Sequence, residues 1–273
     1  MSVPSRTMND GRRIPMVGFG TWKIHNDKAA SLVRAAIAAG YRWIDTAAIY
    51  ANERGVGEGI ATCGVPRDEI FVTTKLWNDR QGYDSALKAF DESLRRLGLD
   101  SVDLYLIHWP APKTNKFVES WKALIRIRDE GRARSIGVSN FHRPHLERII
   151  GETGVVPAVN QIELHPFFQQ RELRAYLDEK EIAVESWSPL AKARRLEDPT
   201  LVSIAKKHGK TPAQVVLRWH LDSGLIAIPK TTHEARIREN LAIFDFRLDE
   251  DDMRAIAGLD EGLRTGLNPD EHD

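Results

Sequence analysis

A parallel (β/α)8 TIM barrel of the α/β class is the fold this sequence predicts, on three observations. Eight short apolar runs rich in β-branched residues recur along the chain. Helical periodicity fills most of the intervals between them. The length, 273 residues, suits one barrel, which commonly uses about 250 residues as a single domain.

The elements follow in order. Asp10-Gly11 lies between residues 3–8 and 14–17, the pattern of a small N-terminal β-hairpin ahead of the barrel. The barrel runs are 17–20, 43–45, 70–75, 102–108, 134–139, 158–162, 183–187 and 225–229. Asn26 or Asp27 caps a helix that runs through Ala39 and stops at Gly40. Residues 84–97 show apolar spacings of three and four and stop at Gly98. Residues 117–129, 144–150, 171–180, 199–207 and 234–243 read as further helices, and 249–259 as an extra C-terminal helix after the eighth unit. Strands alternating with helices form a parallel sheet, and closure into a barrel is its natural solution. No low-complexity linker divides the chain, so residues 1–273 are expected to form one domain.

Composition narrows the partners. Lys+Arg and Asp+Glu both number 39, so the formal net charge is zero. Such a balance exerts no long-range pull toward nucleic acid or an anionic membrane. Cys63 is the only cysteine, which excludes an internal disulfide and fits a reducing compartment. Near the end of a helical pattern, it reads as a packed bystander thiol. The first residues lack the apolar core of a signal peptide, and no apolar stretch is long enough to span a bilayer. A cytoplasmic address is expected.

The C-terminal rim of barrel strands carries the chemistry in this architecture. Three predicted strands end in residues a core does not want: Asp45, Lys75 and His108, with Tyr50 five residues beyond Asp45. Singly, Asp45 reads as a helix cap, Lys75 as a snorkelling side chain, His108 as a satisfied core histidine and Tyr50 as packing. Together, neighbouring strand ends place them around one tyrosine. A phenol normally titrates near ~10, and an adjacent ammonium lowers that value. A carboxylate beyond the lysine keeps it charged, and the histidine can hold a substrate oxygen. The set makes a general acid for a carbonyl becoming an alkoxide. No metal ligands present themselves; His142 and His145 have H-x-x-H spacing without a nearby carboxylate and read as surface histidines.

A hydride cofactor completes that chemistry, although no G-x-G-x-x-G fingerprint follows the first strand. Ser139, Asn140 and Gln161 on the rim suit a nicotinamide carboxamide. Trp187 offers a flat face to a pyridine ring or, on periodicity alone, is a core aromatic. After the eighth strand, Lys230, Thr231 and Arg236 either clamp a phosphate, such as the 2′-phosphate that separates NADP from NAD, or form a solvated helix face.

These residues stand in segments that resemble the aldo-keto reductase superfamily: G-F-G-T-W at 18–22, Y-R-W-I-D-T-A-A-I-Y at 41–50, F-V-T-T-K-L-W at 71–77 and V-D-L-Y-L-I-H-W-P at 102–110. S-I-G-V-S-N-F at 135–141, N-Q-I-E-L-H-P at 160–166 and I-P-K-T through R-I-R-E-N at 228–240 continue the likeness over essentially the whole chain. The resemblance implies a catalytic tetrad of Asp45, Tyr50, Lys75 and His108. It implies NADPH (NADP+) as cofactor, with nicotinamide contacts from Ser139, Asn140, Gln161 and Trp187. Adenosine-phosphate contacts are implied for Lys230, Thr231, Arg236, Glu239 and Asn240. Ser188 and Leu190 stand in the segment that covers the pyrophosphate, here without the glycine often found there. His233 replaces a basic arginine of some relatives. Trp22, Trp77 and Trp109, with His108, would line the substrate pocket. Trp187 and the compact loop at 110–117 are similar to the bacterial 2,5-diketo-D-gluconic acid reductase branch.

The implied activity is reduction of small carbonyls such as 2,5-diketo-D-gluconate or methylglyoxal by a monomer. Two other readings belong to different classes: a cofactor-sensing binding subunit on the same fold, and a barrel lyase or isomerase in which Lys75 forms a Schiff base.

Overall fold

The chain begins by pairing with itself. In the computed structural model, which describes residues 3–273, β1 (Ser5–Thr7) runs antiparallel to β2 (Arg13–Pro15), with Arg6 opposite Ile14. The alternation then starts: β3 (Phe19–Gly20), α1 (Asn26–Ala39), β4 (Trp43–Asp45), α2 (Glu53–Ala61), β5 (Phe71–Leu76), α3 (Tyr83–Leu97), β6 (Val102–Ile107) and α4 (Phe117–Asp129). It continues with β7 (Ala133–Ser139), α5 (Arg143–Thr153), β8 (Val159–Glu163), α6 (Arg171–Glu179) and β9 (Ala183–Trp187). Two helices, α7 (Pro199–His208) and α8 (Pro212–Asp222), precede β10 (Ile226–Ala227), and α9 (Glu234–Glu239) and α10 (Glu250–Ala257) follow it.

β3 to β10 are parallel and paired in chain order. The sheet curls until its first strand meets its last. Gly18 N donates to Ala227 O, Ala227 N to Met16 O and Gly20 N to Pro229 O, at 3.0, 3.0 and 3.1 Å. The predicted barrel is therefore closed.

Alternation along the strands sorts side chains into two cores. Trp43, Leu104, Leu106, Val159, Ala183 and Ile226 pack inside the barrel, joined by Met8 and Ile14 from the hairpin. The hairpin caps the N-terminal ends of the strands; Asn9 Nδ2 donates to Pro157 O and the Ser135 hydroxyl to Asp10, at 2.9 and 2.6 Å. Ile44, Val72, Tyr105, Ile107 and Val138 point outward to the larger layer between sheet and helices. Among the described residues, no helix is long and apolar enough to cross a membrane.

The structure differs from the sequence expectation in several elements. The first and last barrel strands are shorter than predicted, because closure there rests on isolated bonds as much as on continuous pairing. The helix expected at 234–243 ends at Glu239, and Leu241 and Ala242 turn back in tighter bonds to Arg238 and Glu239. The sequence marks α2 only as the helical pattern that ends near Cys63, without bounds, and α8 is not among the predicted helices. Glycines at 55, 57 and 59 weaken the helical signal of α2, yet packing demands them. A Cβ on Gly57 would lie 2.0 Å from Leu97 O, and one on Gly55 would lie 2.3 Å from Asn26 O. α2 is thus wedged between the first and third helices, where backbone meets backbone. α8 carries readable start signals, a Thr211–Gln214 capping box with a proline in the first turn. α10 opens as expected, on an Asp249–Asp252 capping box.

Candidate active site

Strand parity brings the ionisable residues to the barrel interior. Asp45 closes β4, Lys75 lies near the end of β5 and His108 directly follows β6. Lys75 is fully buried, and its Nζ donates to Asp45 Oδ1 and Oδ2 at 2.7 and 2.8 Å and to Thr46 O at 2.9 Å. All three ammonium protons are thereby engaged. Burial works against the charge, but Asp45, joined by Tyr50 and Glu185, holds Lys75 above the usual lysine range.

Tyr50 sits on the turn between β4 and α2, half-buried, its ring 5.3 Å from Lys75 Nζ and 5.7 Å from the His108 ring. The structure thus brings the four predicted residues together. It corrects one expectation about them. The surrounding protein pushes the Tyr50 phenol up to about 12, while Lys75 pulls it down and Asp45 pushes it further up. The lowering by Lys75 is present, but desolvation exceeds it. Burial, then the Lys75 charge, presses His108 well below the usual histidine range, so its imidazole is neutral.

The predicted amide-recognising residues form a connected layer. Ser139 Oγ donates to Gln161 O at 2.8 Å; Asn140 Nδ2 donates to His108 O and Ser139 Oγ at 2.9 and 3.1 Å. Asn140 Oδ1 accepts the Trp187 indole N–H at 2.8 Å, which fixes the plane of that half-buried ring. Gln161 Nε2 donates to Asp45 Oδ2 at 3.0 Å and to Glu185 Oε1 at 2.7 Å. Glu185 escaped the sequence reading. Its signal was parity: Ala183 and Trp187 face inward on β9, so the residue midway between them does too.

The segment after β9 explains its missing glycine. Ser188, Ala191, Lys192 and Ala193 all take positive φ, from 48° to 58°, a region glycine enters without penalty. Bonds hold the shape: Ala191 N to Ser188 O at 2.9 Å, and Lys192 Nζ to Thr265 O at 2.6 Å. Leu190 is half-buried beside them.

Beyond β10, Lys230 is exposed, and burial of part of its stem together with Lys23 lowers its pKa. Arg236 is exposed and makes no salt bridge among the described residues. Thr231 and Asn240 are buried. Glu239 is occupied by the Thr211 hydroxyl at 2.8 Å. Lys230 and Arg236 are thus two exposed cations on the segment that follows the last barrel strand. An amide and hydroxyl layer, a flat indole and a distal pair of cations fit a nicotinamide dinucleotide phosphate in its donor chemistry.

Trp77 and Trp109 flank His108, with ring separations of 5.1 and 6.5 Å. Trp22 stands on the loop after β3. It is 43% exposed, with the Lys23 ammonium 4.5 Å from its ring. A feature the sequence did not disclose is the C-terminal segment, which packs against the Trp77 and Trp109 rings. Glu163 accepts from Thr265 N and Gly266 N at 2.7 and 3.0 Å, and His272 lies 4.6 Å from Trp109 and 6.1 Å from Trp77. His142 binds Asp270 at 2.9 Å. The pair His142 and His145, expected to lack a carboxylate, therefore meets one supplied from more than a hundred residues away and latches this segment.

Proton-transfer groups at the strand C-termini of a closed parallel barrel mark the protein as a barrel enzyme. A model of the Aldo/keto reductase family matches residues 16–261, and the chain belongs to that family. It is an oxidoreductase. It is 54% identical over 266 residues to an aldo-keto reductase of Mycolicibacterium smegmatis, covering 97% of each chain. It is 48% identical to the methylglyoxal reductase DkgA of Escherichia coli K12, covering 97% of this chain and 96% of that one. Among solved structures, an aldo/keto reductase of Brucella melitensis superposes with a TM-score of 0.93 at 57% identity, covering 95% of this chain and 100% of that one. A Gox0644 mutant in complex with NADPH superposes with a TM-score of 0.96 at 50% identity, over 100% of both chains.

Proposed function

We propose that the protein reduces small polar aldehydes and ketones to alcohols, with NADPH as hydride source and Tyr50 as proton donor. Methylglyoxal and 2,5-diketo-D-gluconate represent the substrate class. The observation that carries this is the set of three Lys75 contacts, which fixes a charged ammonium beside Tyr50 and His108.

When bound, NADPH supplies a hydride to the carbonyl carbon. The chain's own residues do the rest. His108, neutral, keeps an N–H for the substrate oxygen and orients it toward Tyr50. Tyr50 holds its proton through neutral pH and releases it to an alkoxide, a far stronger base. Lys75 stabilises the phenolate that forms, and Asp45 holds Lys75 in place. Ser139, Asn140 and Gln161 bind the nicotinamide amide, and Trp187 stacks on its ring. Lys230, Thr231 and Arg236 take the 2′-phosphate, Glu239 and Asn240 face the adenosine, and Ser188 and Leu190 cover the pyrophosphate. Trp77 and Trp109 confine the substrate. Every residue named lies on one barrel, and we read the chain as one domain acting as a monomer.

The Schiff-base reading is disfavoured by the same contacts. A nucleophilic amine must be neutral and accessible, and Lys75 is charged, buried and fully engaged. The sensing-subunit reading requires no proton donor, and here the donor set is complete.

The test is oxidation of NADPH by purified protein with methylglyoxal, a diketogluconate, an aromatic aldehyde and a simple sugar, with NADH in parallel. Turnover with the small dicarbonyls is expected; tight binding without turnover would favour the sensing subunit. Replacing Lys230 and Arg236 together by Ala is expected to weaken NADPH by at least tenfold, as loss of charge-assisted bonds implies, and NADH by much less. Equal losses would remove the 2′-phosphate role.

A further inference from the structure

The buried cluster contains a group that proton transfer leaves unexplained. One ammonium, Lys75, faces two carboxyl groups, Asp45 and Glu185, and the Gln161 amide stands between them. Gln161 and Glu185 are register partners on β8 and β9. An ionised carboxylate only accepts hydrogen bonds. Asp45 already accepts two from Lys75, so the Gln161 NH2 must face it; the flipped amide would set oxygen against oxygen. Gln161 Nε2 lies 3.0 Å from Asp45 Oδ2 and 2.7 Å from Glu185 Oε1, which engages both amide protons. What Gln161 has left to offer a ligand is Oε1, an acceptor.

Two anions beside one cation in a dry interior would leave a charge uncompensated, so one carboxyl keeps its proton. Asp45 has the two ammonium contacts. Glu185 has only Gln161, and its Oε2 is buried without a partner. Glu185 is the protonated member, raised well above the ordinary carboxylate range by burial and then by the Asp45 charge. A neutral acid can hold an amide N–H without adding a second charge to the Tyr50 environment.

We propose that Glu185 is a positioning residue for the cofactor: with Asp45 it holds both amide protons of Gln161, so that the Gln161 carbonyl is what meets the NH2 of the nicotinamide carboxamide. This rests on the NADPH reading above. It makes recognition of the cofactor depend on a residue that touches neither cofactor nor substrate.

The test is equilibrium binding of NADP+ and of its 3-acetylpyridine analogue, whose acetyl group has no N–H to give, read by quenching of tryptophan fluorescence. Wild-type protein is expected to prefer NADP+ roughly tenfold, the scale of one net hydrogen bond. Glu185→Met, of similar length but without an acceptor, leaves Asp45 alone to hold the amide, so the Gln161 carbonyl is aimed less firmly, and is expected to bring the two ligands within about twofold by weakening NADP+ alone. Glu185→Gln keeps a carbonyl acceptor and is expected to retain the preference. Should the Met variant fail to fold, Glu185→Val, a small strand-compatible residue without an acceptor, takes its place. Equal weakening of both ligands would indicate a packing role and overturn the proposal, as would loss of preference in Glu185→Gln or an unselective wild type. Wild-type protein that binds neither ligand would instead overturn the cofactor reading itself.

Discussion

At Tyr50 the deciding quantity is where the proton sits. Burial pushes its phenol up to about 12, so the protonated donor persists through neutral pH and is lost only as pH rises through that value. Difference absorbance between wild type and Tyr50→Phe is expected to show a phenolate transition near 12; a transition below the ordinary ~10 would mean that the Lys75 charge overcomes desolvation. Tyr50→Phe is expected to lower kcat by about a thousandfold, within the usual range for general acid catalysis, while NADPH affinity measured by fluorescence changes less than about twofold. Retained turnover would remove Tyr50 from the chemistry. Asp45, Lys75 and His108 were legible because ionisable residues at the ends of apolar runs conflict with burial. Glu185 carries the same conflict mid-strand, where a reading directed at the rim passes over it.

At the scale of elements, legibility followed periodicity where packing and propensity agree, and failed where they oppose each other. α1 and α3 end at the predicted Gly40 and Gly98. α2 has three glycines that propensity penalises and close backbone contact requires, so its pattern before Cys63 was legible but its bounds were not. The contrast is measurable. Gly57→Ala forces a methyl toward Leu97 O and is expected to destabilise the fold by about 2–3 kcal/mol, the upper range for overpacking. At Gly151, inside α5, an added Cβ would meet nothing within 4 Å, and Gly151→Ala is expected to gain about 0.5–1 kcal/mol of helix propensity. Urea unfolding of the two variants gives opposite shifts if α2 is placed correctly; a neutral Gly57→Ala would show that the α2–α3 contact is looser than described. The segment at 188–193 makes the same point. Its left-handed residues are held by bonds to one another and to Thr265, partners that a local motif does not reveal.

At the scale of the molecule, the alternation of eight apolar runs with helices disclosed the barrel, because each strand needs both of its faces covered. Alternation alone could not reveal how the mouth is dressed. Thr265 and Gly266 reach Glu163, and Asp270 reaches His142, across separations in sequence that no periodicity encodes.

The closure of the barrel has its own consequence. β3 and β10 are two residues each and meet through a handful of backbone bonds around Ala227, whereas β5 and β6 pair along most of their six-residue lengths. Opening free energies follow local bonding, so this seam is where the cylinder unzips first. Lys230 stands just beyond one lip of the seam, and a dinucleotide held there would act as a rivet across it. Amide hydrogen exchange is expected to be fastest at Gly18, Gly20 and Ala227 among the barrel strands, and to slow there on adding NADP+ more than at β5 or β6. Uniform slowing would mean that the ligand stiffens the whole cylinder; slowing confined to the seam would make cofactor occupancy a brace for the weakest joint of the fold.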